Sequence, residues 1–209
     1  MLNFAQKFKI MFKNKFLKYG IGVVFLAAAI YSLTMNTKDY VSEIRNMRSD
    51  YKEGMQDLEE SPIANIEGFV DFRYFDPKEE WKLFVDFESN PSKQTFPMIM
   101  TDKSVSSIGM AGYAVFEIGG KEQRLMLFDE GEHYLLPFTD ESNGEETYGG
   151  GRYLNIDKTS NNKLMIDFNE AHNFYCVYNE NFVCPVPPSE NHIDVRVDAG
   201  EKVLFLDKN

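Results

Sequence analysis

Apolar residues along this chain follow three successive periodicities, and each one implies a different element. Lys7, Lys9, Lys13, Lys15 and Lys18 precede a run without charge from Tyr19 to Met35. At 1.5 Å per residue, the 19 residues from Leu17 to Met35 span about 28 Å, close to the roughly 30 Å of bilayer hydrocarbon. The pattern therefore predicts a transmembrane helix over residues 19–36. Residues 1–18 are then a cytoplasmic basic segment by the positive-inside rule, and everything after Thr37 is exported. Ala27-Ala28-Ala29 offers a rival signal-peptide site, but a cut there leaves only Gly20 to Leu26 ahead of it and strands Ile30 to Met35 in the product. No cysteine occurs in this region, which excludes a lipoprotein anchor. Further upstream, Met1, Phe4, Ala5, Phe8, Met11 and Phe12 recur at three- and four-residue spacing, as in a helix lying on the anionic inner leaflet; an unstructured basic leader explains the same residues.

The second period is also helical. Tyr40, Ile44, Met47, Tyr51, Met55 and Leu58 form a stripe between charged positions, predicting an amphipathic helical stalk over 37–60. Packing on the chain's own domain suits this stripe better than a coiled coil, because Met and Tyr at seam positions and Gly54 make a weak zipper.

From Ser61-Pro62 onward the period drops to two. Trp81, Leu83, Val85 and Phe87 alternate with polar residues as in a half-buried strand. Tyr113–Ile118, Gly119-Gly120 and Lys121–Phe128 read as a hairpin whose glycines supply the positive φ pair of a type I′ turn. Further strands are expected at 69–75, 96–100, 134–138, 152–156, 163–168, 193–197 and 203–206. Residues 61–209 are thus expected to form a mainly β domain, an antiparallel barrel-like fold or sandwich.

Composition narrows the partners. Hydrophobic residues make up 43% and aromatics 14% of 209 residues, enough for a real core and incompatible with global disorder. The first 38 residues hold six lysines and no acid, leaving 16 basic against 33 acidic residues, a charge of −17, for residues 39–209. A domain so acidic repels phosphate backbones, so no nucleic-acid partner is expected. Residues 1–36 are left to meet membrane lipid.

One stretch is recognisable as a family pattern. Asp140-Glu-Ser-Asn-Gly-Glu-Glu-Thr-Tyr-Gly-Gly-Gly-Arg-Tyr153 is followed by Asp167-Phe-Asn-Glu-Ala171, Tyr175-Cys176, Cys184-Pro185, Pro187-Pro188, Asn191 and Ala199-Gly-Glu201. This order resembles the bacterial family known as domain of unknown function 1684, over roughly Ser61 to Lys202, including Arg73-Tyr-Phe-Asp-Pro77 and the Gly119-Gly120 hairpin. The resemblance implies a domain and a set of marked positions, without an activity. Ala171-His172-Asn173-Phe174 departs from the family's usual Ala-Tyr-Asn-Pro, and His192 also stands at a departing position, which argues against a family-wide role for either histidine.

Familiar chemistry is mostly excluded. His172, Cys176, Cys184 and His192 lack the close pairwise spacing of a zinc site, so no metal and no cofactor are expected. Gly-x-Ser-x-Gly, Ser-x-x-Lys and His-Glu-x-x-His motifs are missing. The glycine of Asp140–Glu146 falls one place early for a calcium loop, and an Asn143-Gly144 turn explains the run. Cys176 and Cys184 close a nine-residue loop that suits a disulfide in an exported domain; two buried thiols are the alternative.

What remains is a polar set of Glu146, Tyr148, Arg152, Asp167, Asn169 and Asn191, with Gly150 in the triglycine ahead of Arg152. One reading is a buried network fixing the barrel. The other is a pocket in which Arg152 forks a carboxylate or phosphate and the glycines let a small anionic ligand approach the backbone. Expected functions are a membrane-anchored extracytoplasmic binding or accessory module, acting on such a ligand or a membrane-protein partner, or an enzyme at an Arg152/Asp167 pocket.

Overall fold

The computed structural model describes residues 15–92 and 94–204 and divides the chain into two compact units, residues 1–43 and 44–209. The expected apolar stripe at 1–12 lies outside the described residues. A helix, α1, runs from Lys15 to Asp57. No helix among the described residues is long and apolar enough to cross a membrane, so the transmembrane segment expected at 19–36 is not found.

Residues 44–209 form a mainly antiparallel β domain. Its strands are β1 (Lys82–Ser89), β2 (Thr95–Ile99), β3 (Val105–Ile118), β4 (Lys121–Asp129), β5 (His133–Asp140), β6 (Arg152–Asp157), β7 (Lys163–Asp167) and β8 (His192–Ile193). The main path runs β6-β5-β4-β3-β1-β7, with β2 on β3 and β8 parallel to β5. β6 and β7, its two ends, approach each other, so the sheet nearly closes into a barrel. Closure is completed after β7, where the backbones of Tyr153 and His172 exchange hydrogen bonds of 2.9 and 3.0 Å.

The local reasons are those of the sequence. Gly119 (φ 60°) and Gly120 (φ 74°) make the β3–β4 turn, with Ile118 opposite Lys121. Val85 is buried while Phe84, its neighbour on the opposite face, is 81% exposed. Leu125 and Leu127 of β4 enter the barrel with Phe116, Leu136, Phe138, Ile166 and Phe168. Met126 and Phe128 point the other way yet are also buried, beneath Met98 of β2 and beside Leu135 and Tyr153. A bulge between Met110 and Gly112 offsets the register of the long β3, whose first half carries β2.

Three expected strands differ. Residues 69–75 make no strand; only Tyr74 bridges to Glu201, because Phe72 packs side-on among Tyr51, Phe69 and Tyr178 in a separate cluster with Met55 and Ile63. Near the C-terminus, β8 is two residues long, and Val203 and Leu204 lie outside any strand, with residues 205–206 outside the described residues.

Candidate functional site

The marked polar residues do not converge. Arg152, the first residue of β6, is fully buried. Its partner is Asp140 at the end of β5, with Nη2 donating to Oδ2 at 2.7 Å, and not Asp167. Nη2 also reaches the Val197 carbonyl at 3.0 Å and Ser142 Oγ at 3.4 Å, while Nη1 donates to the carbonyls of Ala199 and Glu201. Asp140 Oδ1 accepts from the amides of Ser142 (2.7 Å) and Val197 (3.2 Å). Burial lowers the Arg152 pKa and Asp140 opposes that shift. A guanidinium so enclosed ties β5 and β6 to the 197–201 segment and has no open side for a ligand fork. The glycines before it serve packing: a Cβ on Gly151 (φ 97°) would stand 2.6 Å from the Phe138 carbonyl, and one on Gly150 would meet the Tyr148 ring.

The other predicted residues have separate duties. Asp167 caps the 3₁₀ turn Phe168–Glu170 by accepting from the Asn169 amide at 3.0 Å and its side chain at 2.8 Å, with Lys82 Nζ 3.9 Å away. Asn169 bonds both backbone groups of Lys78 at 2.8–2.9 Å. Asn191 bonds the amide and carbonyl of Met126 and the Pro137 carbonyl at 2.7–2.9 Å, filling the place where β4 and β5 diverge beyond their Phe128–Leu135 pair. Glu146 lies at the surface, where Lys202 (2.9 Å) and Arg196 lower its pKa. Tyr148 is 37% exposed over Gly150, and burial raises its pKa. The pocket joining Arg152 to Asp167 is therefore not formed.

A third buried acid, after Asp140 and Asp167, is one the family pattern marks but the sequence assigns no role. Glu201 is fully buried, accepting from the Asn173 amide at 2.9 Å and from the Tyr178 hydroxyl. Burial raises its pKa to about 7 against these hydrogen bonds.

An open groove rich in aromatic rings lies elsewhere on this domain. The groove, of about 380 Å³, is lined at one side by Tyr51 of α1 and by Glu130, His133 and Asn155 at the β4–β5 turn and on β6. Facing residues come from the chain after β7: His172, Phe174, Tyr175 and the stretch Phe182 to Pro185. Phe174 stacks on Tyr153 with centroids 3.6 Å apart and planes 6° apart, and the His172 ring lies 6.0 Å from it at 32°. Tyr175 and Phe182 meet edge to face at 5.4 Å and 82°. His133 Nε2 lies 3.3 Å from Glu130 Oε2. His172 Nδ1 lies 3.4 Å from the Glu170 carbonyl, which can only accept, so Nδ1 carries the proton and Nε2 is the acceptor. Burial lowers the His172 pKa to about 4, with His133 adding to the effect and the Glu170 carbonyl opposing it, so the ring is neutral at physiological pH.

Cys176 and Cys184, expected as a disulfide, stand as free thiols beside the groove, with Cys184 in its wall. The Cys176 amide donates to Cys184 Sγ at 3.3 Å, and hydrogen bonding between the thiols holds the Cys176 pKa up and the Cys184 pKa down. No group of three or more His, Cys, Asp or Glu side chains among the described residues is placed to hold a metal.

Comparison with known proteins agrees with this architecture. The family described as Protein of unknown function (DUF1684) matches residues 67–202. A solution NMR structure of an uncharacterized protein from Haloarcula marismortui is similar, with a TM-score of 0.64 and 26% identity, covering 80% of this chain and 96% of that one. No curated protein matches.

Proposed function

The chain belongs to the DUF1684 family, and from that premise we propose that its β domain is a binding module whose ligand occupies the aromatic groove beside His172. The observation that carries this reading is the groove itself. Its volume lies within the range of small-molecule sites, and apolar rings with a few polar groups line it, in contrast to the closed centre at Arg152. The Arg152–Asp140 pair and the Asn169 and Asn191 links then serve as scaffold. An enzyme acting at an Arg152/Asp167 pocket finds no support, since the two side chains keep separate partners.

The test is a ligand-observed NMR and thermal-shift screen of the full chain against a metabolite library, repeated with Phe182→Ala. Hits that vanish in the variant support the reading, whereas hits indifferent to Phe182 contradict it.

We further propose that the module is held at a membrane by its N-terminal helix, with residues 44–209 outside the cytosol. Val23, Val24, Phe25, Leu26 and Ile30 are more than half exposed, and lipid is the environment that suits such a surface. In sequence the apolar run continues to Met35, and lysines precede it. Carbonate extraction should leave the full chain in the membrane fraction; release into the supernatant would refute this placement.

A further inference from the structure

We infer that the groove's ligand is an organic cation bearing a methylated ammonium group, a reading that rests on the groove being the binding site. The charge balance of the lining is one-sided. Glu130 contributes a carboxylate, with His133 Nε2 3.3 Å from it, and none of the residues lining the groove is Lys or Arg. The neighbouring ammonium, Lys158, is engaged by Asp129 Oδ1 at 2.6 Å and the Gly131 carbonyl at 2.7 Å. Residues 39–209 carry a charge of −17, so the surrounding field draws cations and repels the anionic ligand that the sequence had suggested.

The rings supply the contact surface. Tyr175 and Phe182 form a right-angled corner, and Phe174 and Tyr51 line the groove on either side of the His172 ring, at 6.0 and 5.5 Å from it. Faces of aromatic rings are electron-rich and attract a cation held above them. They accept no strong hydrogen bonds, so a bare ammonium would lose hydration there without full replacement. A methylated ammonium presents its charge through C–H surfaces and has little hydration to lose. The neutral His172 ring adds no repulsion, and its Nε2 can accept from a hydroxyl or amide elsewhere on the ligand.

The experiment titrates the full chain calorimetrically with choline and with 3,3-dimethylbutan-1-ol, which has the same shape with carbon in place of nitrogen. Choline should bind saturably and at least about fivefold more tightly than the alcohol, the scale of a desolvated cation–ring contact. Phe182→Leu should weaken choline about 5- to 30-fold. Glu130→Gln, an exposed change that leaves the core untouched, should weaken it as well. Alcohol binding as tight as choline binding overturns the inference while leaving the groove an apolar site. Silence from choline overturns it whatever else binds, and if the metabolite screen is silent too, the groove reading falls with it. Undiminished binding by both variants also overturns it.

Discussion

Arg152 shows how one side chain decides between scaffold and site. With its guanidinium bonded to Asp140 and to the carbonyls of Val197, Ala199 and Glu201, its removal leaves a buried carboxylate unpaired. Arg152→Ala should therefore cost about 3–5 kcal/mol in urea unfolding of the full chain; a loss under about 1 kcal/mol would mean that the pair is not structural. Glu201 makes a pH-dependent prediction. Its folded pKa of about 7 lies above the ordinary carboxyl value, so the folded state holds the extra proton and stability falls as pH rises to 7, by about 3 kcal/mol over the interval. His172 acts in the opposite sense. Its folded pKa of about 4 lies below the ordinary value, so its contribution is present above about pH 6.5 and is lost as pH falls. The two slopes oppose each other between about pH 4.5 and 6.5. Glu201→Gln should remove the fall and expose a rise in stability with pH, measured as urea midpoints from pH 5 to 8. A variant whose profile parallels the parent's would contradict the assignment.

Among the elements, those with strong periodicity were legible in the sequence. The Gly119-Gly120 hairpin and the alternation around Val85 stand where local pattern places them, because turn chemistry and one buried face determine both. Residues 69–75 misled because Phe69, Phe72 and Tyr74 are buried or half-buried through side-chain clustering with the helix, with the Tyr74–Glu201 bridge as their only strand-like pairing among the described residues. The Arg152 partner was illegible for a related reason: adjacency in the barrel is set by β5 and β6 pairing Phe138 with Arg152, which brings Asp140 near, whereas Asp167 lies on β7. The groove was hidden because Tyr51, Glu130, His172 and Phe182 are distant in sequence; the departure at His172 and Phe174 was its one local sign, and it read as a reason to set the histidine aside. The second half of α1 is part of the core. Arg48 donates to the carbonyls of Phe75 and Asn169 at 3.0 Å, and Met55 is buried against Ile63 and Phe72. Met55→Ala should cost about 2–5 kcal/mol, and a change below about 0.5 kcal/mol would show the helix to be dispensable to the domain.

For the molecule as a whole, the polar centre holds a nearly closed barrel while the groove stays accessible. The neighbouring thiols report where this molecule resides. If the domain is outside the cytosol, Cys176 and Cys184 should be recovered oxidised from cells under an alkylating quench, because an oxidising compartment closes adjacent pairs. Two alkylated thiols would place the domain in a reducing compartment. The three histidines give the most direct test of which site binds. His133 and His172 line the groove, whereas His192 bonds Thr139 Oγ1 at 2.9 Å beside the Arg152 centre. The deciding measurement is the imidazole ¹H–¹⁵N NMR spectrum of the full chain, recorded against each compound of the metabolite library. A bound compound should shift the His133 and His172 resonances and leave His192 in place; a shift at His192 with the other two unmoved would contradict the groove and return the site to Arg152.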